Sequence, residues 1–335
     1  MKAIKFFAIT AMAAAMITSC STDDELSQSN YPSDNIIRVT AGVNNAKTRA
    51  DGAGTELKND FSLTIVNKNT EKPELASKYT YTDKVFSKKS GDWACSETLL
   101  WQDDKTPVDI VAFAPAQTGK FNGVYAEGSI KPITYSVADD QSTSSDNNDL
   151  LYYYAKDFNP GTSLVNKKLS IQFNHAFCMI DINVTLGTEF NKPEVLDDSP
   201  IVKVTLDGTK IAANVDVTNA ASVVTASGDA TTITTTKGDF TKAENADKKA
   251  DPEKNAISCF SCIAIPQKVE ANTFKVSLMT AGKRYEWTSD KEITLQSGYR
   301  YTLNLSMGND VVLLKGGSIS ATKWTEGTGG SLETE

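Results

Sequence analysis

Apolar residues on alternate positions organise this chain from Asn35 onward. Ile37, Val39, Ala41 and Val43 share one face of a predicted first strand, because side chains alternate across a strand. Residues 61–66 predict a second strand, and 68–74 a polar loop. A hairpin is expected over 79–81 and 84–86, a strand pair over 93–101, and a buried strand over 108–114 ended by Pro115. Residues 150–155 resume the sheet. Leu169, Ile171 and Phe173 face one side, but later the inward phase moves to Cys178, Ile180, Ile182 and Val184. That slip predicts a bulge or bend near Asn174 and His175. Further strands are expected at 202–206, 231–236, 256–265, 274–279, 284–287 and 299–306. After the first twenty residues no helical apolar period is sustained, and 241–255 is charged and helix-permissive at most. The pattern predicts an all-β protein, and its regular turn spacing points to sandwiches. Asn159-Pro160-Gly161 interrupts the pattern and divides the chain into 35–160 and 161–335.

The first twenty residues read differently. Lys2 and Lys5 give a basic start, 6–17 is apolar, and Thr18-Ser19 precede Cys20. This is a secretory signal, and its apolar run is too short to span a bilayer. With the cysteine at the cut it resembles a bacterial lipobox. The resemblance implies a lipid-anchored precursor acylated on Cys20, with residues 1–19 removed and 20–34 as a polar tether. The acidic Asp23-Asp24-Glu25 resembles the run that directs some Bacteroides-group lipoproteins to the cell surface. Losing Lys2 and Lys5 takes the formal charge from −8 to −10. An acidic chain with dispersed cations argues against nucleic acid as a partner.

The candidate chemistry is sparse. His175 is the only histidine, so a histidine-based triad or a multi-histidine metal site has nothing to build on. It sits in a strand pattern with apolar neighbours, where a hydrogen-bonded structural role is expected. Cys259 and Cys262 have metal-ligand spacing, but strand residues three apart face opposite sides, so small buried thiols are expected. The acidic loop 139–149 offers oxygen ligands for calcium without the spacing of a known loop, and reads as a solvated loop. Tyr152, Tyr153 and Tyr154 can stack on sugars, yet on a strand Tyr152 and Tyr154 share a face suited to the core. No paired carboxylates stand out, no cofactor is implied, and no catalytic residue is expected.

Several segments resemble the fimbrillin family of Bacteroides-type bacteria, the lipoprotein-derived subunits of type V pili. They are Trp101 followed by Val108-Asp109-Ile110-Val111-Ala112-Phe113-Ala114-Pro115, then Asp149-Leu150-Leu151, then residues 169–177 around His175. Gly298-Tyr299-Arg300-Tyr301-Thr302-Leu303 and Ile319-Ser320-Ala321-Thr322-Lys323-Trp324 match the closing strands. The family implies two tandem transthyretin-like β-sandwiches and a surface lipoprotein cut after an arginine by a trypsin-like protease. Arg49 matches that arginine, with Ala50 as the new N-terminus. The cut removes the strand bearing Ile37, Val39, Ala41 and Val43, and a strand from the next subunit fills the groove.

The candidate donor is the C-terminal region 309–324, read as a hairpin about 315–318 with Val311, Leu313, Ile319, Ala321 and Trp324 as its apolar residues. The expected function is adhesion as a fimbrial subunit at the outer membrane, partnered by its own kind or related pilins. Shaft, tip and base roles stay open. The rival readings are a monomeric glycan-binding surface lipoprotein, which keeps Cys20 and residues 21–49, and a hydrolase with two acids in a cleft.

Overall fold

Strand-forming residues pair here across long sequence separations. A computed structural model describes residues 30–44, 55–116, 121, 124–126, 128–143, 148–191, 196–243, 255–308, 312–314 and 319–324. The leader, Cys20, Arg49, Ala50, Val311 and the expected turn 315–318 lie outside these residues. The first strands are β1 Val39–Val43, β2 Thr55–Glu56, β3 Phe61–Asn67, β4 Tyr81–Lys89, β5 Asp92–Cys95 and β6 Val108–Ala114. Short β7 Tyr125–Ala126, β8 Ser129–Ile130 and β9 Ile133–Ser136 follow, then β10 Leu151–Phe158 and β11 Leu169–His175. Next come β12 Cys178–Leu186, β13 Ile201–Asp207, β14 Lys210–Val215, β15 Val224–Ala230, β16 Ile233–Thr234, β17 Thr236–Thr241 and β18 Ile257–Ala264. The chain continues through β19 Lys268–Val269, β20 Lys275–Thr280, β21 Arg284–Thr288 and β22 Ile293–Thr294. It closes with β23 Tyr299–Met307, β24 Val312–Leu314 and β25 Ser320–Lys323. The described α-helices are two short ones, Pro73–Lys78 and Pro160–Ser163, so the fold is all-β as expected.

One eight-stranded sheet runs β11-β10-β6-β3-β4-β5-β1-β2, and β1 also pairs with β11, which closes the sheet on itself. Its interior holds Phe61, Leu63, Ile65, Phe86, Trp101, Ile110, Leu169, Ile171 and Phe173, all buried. A second core lies between the sheet β17-β18-β12-β23-β24 and the sheet β16-β13-β20-β21. Ile180, Ile182 and Val184 of β12 meet Val204, Leu206, Val276 and Leu278 there. A third core joins them: Val111 and Phe113 on the outer face of β6 pack with Tyr135, Phe177, Ala213, Val215 and Ile263. Backbone pairing crosses the same join, since β9 is antiparallel to β14 from Ile133↔Val215 to Ser136↔Ala212. Gln141, fully buried, reinforces it by donating from Nε2 to the Ile263 carbonyl at 2.9 Å and accepting from the Ile263 amide at 2.8 Å.

Several local expectations are corrected. The segments 79–81 and 84–86 are one strand, β4, rather than a hairpin. An extra residue is absorbed at Asp83, where φ is 49° and the register with β3 shifts between Leu63 and Ile65. A bulge of this kind bends a strand without ending it. Pro73, at the first helical position, starts a helical turn within the expected polar loop. In 93–101 only β5 is a strand, with a single bridge at Leu100. The phase slip at Asn174 and His175 is the passage from β11 in the closed sheet to β12 in the second. β11, assigned by the sequence pattern to the second half, is therefore hydrogen-bonded among strands of the first.

The terminal hairpin is also corrected. β12 pairs with β23 along one edge from Met179↔Arg300 to Leu186↔Met307. Both β24 and β25 are antiparallel to β23 and must share its other edge. They are two pieces of one interrupted edge strand.

Ile171 is buried opposite Ala41. Ile171→Ala is expected to lower the unfolding free energy by about 2–5 kcal/mol, as cavity-forming core truncations do. Urea unfolding measures it; a loss below about 1 kcal/mol would show that the β1–β11 interface is loosely packed.

Candidate functional site

β1 is seated as the closing element of its sheet. It runs parallel to β11 through five residue pairs, Val39↔Leu169 to Val43↔Phe173. Hydrogen bonds extend the ladder at both ends: the Leu169 amide donates to the Arg38 carbonyl and the Asn44 amide to the Phe173 carbonyl, each at 2.8 Å. The other edge is held in pieces. The Ile37 amide donates to the Leu99 carbonyl at 2.9 Å, and the Trp101 amide to the Asn35 carbonyl at 2.8 Å. Val39 then pairs with Trp93, and Gly42 and Val43 pair with β2. Ile37, Val39 and Val43 are buried and Ala41 is half-buried against the same core, the face the alternation predicts. The Arg38 guanidinium holds the exposed Asp34 carboxyl well below the usual carboxylate range, a surface pair of small energetic value.

At the other end of the chain, the pairs Leu305↔Leu314 and Met307↔Val312 fix which way β24 faces. Val312 is buried, and Leu314 and Ile319 pack on the second core. Leu313 is 59% exposed and Ala321 is exposed, so two of the candidate donor residues face solvent in this chain. β25 presents four exposed side chains, Ser320 to Lys323. The strand is therefore held by backbone pairing to β23, and Trp324 behind it is buried.

Trp324 meets the lone histidine. Its ring stacks on His175 with centroids 3.9 Å apart and planes 13° from parallel. His175 Nδ1 lies 2.7 Å from Asp149 Oδ2, and since a carboxylate only accepts, the imidazole donates. The opposite atoms, His175 Nε2 and Asp149 Oδ1, are buried and have no protein partner among the described residues. The Trp324 amide donates to the Gly298 carbonyl at 2.7 Å, and the Gly298 amide to the Phe177 carbonyl at 2.8 Å. Gly298 has φ +70°, the left-handed conformation that glycine adopts without strain.

The cysteines, the acidic loop and the tyrosines take separate places in the fold. Cys262 points into the second core and burial pushes its thiol up to about 12, while Cys259 faces the other side of β18, half-buried. Burial also raises the Cys178 thiol, whose Sγ lies 3.2 Å from the Ala264 carbonyl oxygen. In the acidic loop, Asp140 Oδ1 accepts from the Ser142 amide and Asn148 Oδ1 from the Ala138 amide. Residues 144–147 of that loop lie outside the described residues, and among those described no three acidic, histidine or cysteine side chains are grouped for a metal. Tyr152 and Tyr154 pack on the third core and Tyr153 on the first. Tyr152 also borders a cleft of about 480 Å³ shared with Val223, Gln267, Leu295 and Gln296. Gln267 is engaged there, bonded to the backbone of Lys210 and Ile265.

The family model described as "Fimbrillin-like" matches residues 48–324. The chain belongs to the fimbrillin-like family. Three solved structures share its fold. A candidate cell adhesion protein of Bacteroides ovatus aligns at TM-score 0.60 and 16% identity, covering 86% of this chain and 97% of that one. Another from Bacteroides uniformis gives 0.56 and 14%, covering 88% and 100%. A fimbrial protein of Bacteroides vulgatus gives 0.53 and 14%, covering 87% and 99%. No curated protein matches the chain.

In this fimbrillin-like chain the contact between Asp149, His175 and Trp324 has no sequence period to announce it. The three residues are separated by 26 and 149 positions, and only their places in separate motifs single them out. Thiol accessibility tests the packing directly. Alkylation of the folded chain at mildly alkaline pH should modify Cys95 and Cys259, leaving Cys178 and Cys262 untouched until denaturant is added. Mass spectrometry of the labelled peptides reads the result, and early labelling of Cys262 would contradict its place in the core.

Proposed function

We propose that this fimbrillin-like chain is a subunit of a surface fimbria serving adhesion. It is exported as a lipoprotein on Cys20 and assembles by strand exchange after a cut between Arg49 and Ala50. The observation that carries the reading is the seat of β1, a strand that closes a sheet yet lies N-terminal to the matching arginine. Removing it strips β11 of its five-residue partner and uncovers the places of Ile37, Val39, Ala41 and Val43. Each large aliphatic side chain among them is worth roughly 1.5–3 kcal/mol of burial before entropy is subtracted. A strand from another subunit restores both the ladder and the apolar contacts. The terminal strand supports the donor role, because it lies at a sheet edge and its β25 part has no buried side chain.

On this reading the closed sheet and the β12–β23 sandwich are two transthyretin-like units, with the chain passing between them at Ala176 and Phe177. The partners are other fimbrial subunits, of the same or a related kind. No catalysis, cofactor or metal is assigned.

Arg49→Ala tests the proposal in cells. The variant is expected to accumulate as the lipidated, Cys20-started form and to give no filaments, whereas the native chain on the surface begins at Ala50. Mass spectrometry of the surface form and electron microscopy provide the readouts. Equal filaments from both chains would overturn strand removal, and a native surface form that keeps acylated Cys20 would favour a tethered binder.

A further inference from the structure

The terminal strand is fastened to a different sheet from the one it extends. β25 adds to the edge of β23, but Trp324, immediately after it, lies against His175, the last residue of β11. β11 pairs with all five residues of β1 through Leu169–Phe173, ending two residues short of His175. We infer that Trp324 is a latch whose stack on His175 ties the C-terminal edge strand to the strand that seats β1. This rests on the roles proposed above for β1 and the terminal strand.

Three observations build the latch. Among the described residues the imidazole has one hydrogen-bond partner, Asp149, so its orientation depends on that bond and on the indole face. The backbone is clipped in series, from Phe177 to Gly298 to Trp324, which places the indole at the β11 end of the sheet. Because the side chains of 320–323 are all exposed, the apolar hold at this end of the strand falls to Trp324. Withdrawing Trp324 therefore leaves β25 held by its backbone ladder alone and uncovers the end of β11 in a single movement. Coupling between two sites is reciprocal. Loss of β1 must then loosen Trp324, so that clipping the N-terminus primes the C-terminus of the same subunit for donation.

Amide hydrogen exchange on the intact chain tests this, comparing the native protein with Trp324→Ala and Trp324→Phe. In Trp324→Ala, exchange is expected to speed up roughly tenfold at 320–323 and also at 169–175 and 39–43, the size set by losing one aromatic stack. The strands 180–186 and 258–264 should be unchanged. Trp324→Phe, which keeps a ring, should fall between, and carries the comparison if the alanine variant does not fold. Acceleration confined to 320–323 would overturn the coupling, and equal acceleration of every strand would reduce Trp324 to an ordinary core residue. Filament formation by the clipped chain is scored separately. Coupled exchange without filaments keeps the latch and removes the fimbrial reading, and filaments without coupled exchange do the reverse.

Discussion

Everything in the first half of the molecule depends on the parallel pairing of β1 with β11. An open sheet exposes two rows of unpaired backbone groups, and closure removes both at once. Here closure is achieved by a strand near the N-terminus that joins β11 on one side and β5, β2 and residues 99–101 on the other. The two sides are unequal. The β11 side is a continuous ladder, whereas the opposite side is assembled from short contacts on three segments. β1 is thus well bound through one neighbour and loosely enclosed by the rest.

The two principal cores are not independent beads. Val111, Phe113, Tyr152 and Tyr154 turn outward from the closed sheet and meet residues of β14 and β18, while β9 pairs directly with β14. Gln141 bonds both the amide and the carbonyl of Ile263 within the buried join. Continuous packing and shared hydrogen bonds of this kind resist hinge motion, because any rotation would leave buried polar groups unpaired.

Much of this was legible in the sequence where the period was strong. The alternation of Ile37, Val39, Ala41 and Val43 identified a strand and its inward face, and the phase change after Phe173 marked the passage between sheets. Legibility failed where side chains were small or polar. The hairpin of β14 and β15 is built largely from Ala, Asn, Thr, Ser and Gly and carries little apolar pattern. Residues 79–86 suggested a hairpin, and instead one strand, β4, carries a bulge at Asp83. Pairing partners far apart in sequence, such as β1 with β11 or Trp324 with His175, are fixed by the whole fold, so local pattern cannot report them. The four-residue stretch 315–318 invited a hairpin, but continuous pairing of β12 left β23 only one free edge to offer.

That single edge has a further consequence. Between the Leu305–Leu314 and Thr302–Ser320 pairs, β23 moves three residues while its partner moves six. β23 nevertheless stays in step with both pieces, so the three extra residues of the partner fall between Leu314 and Ser320. The outer edge is thus offered as two short rows of backbone groups, three and four residues long, which limits the continuous template open to a strand from another molecule.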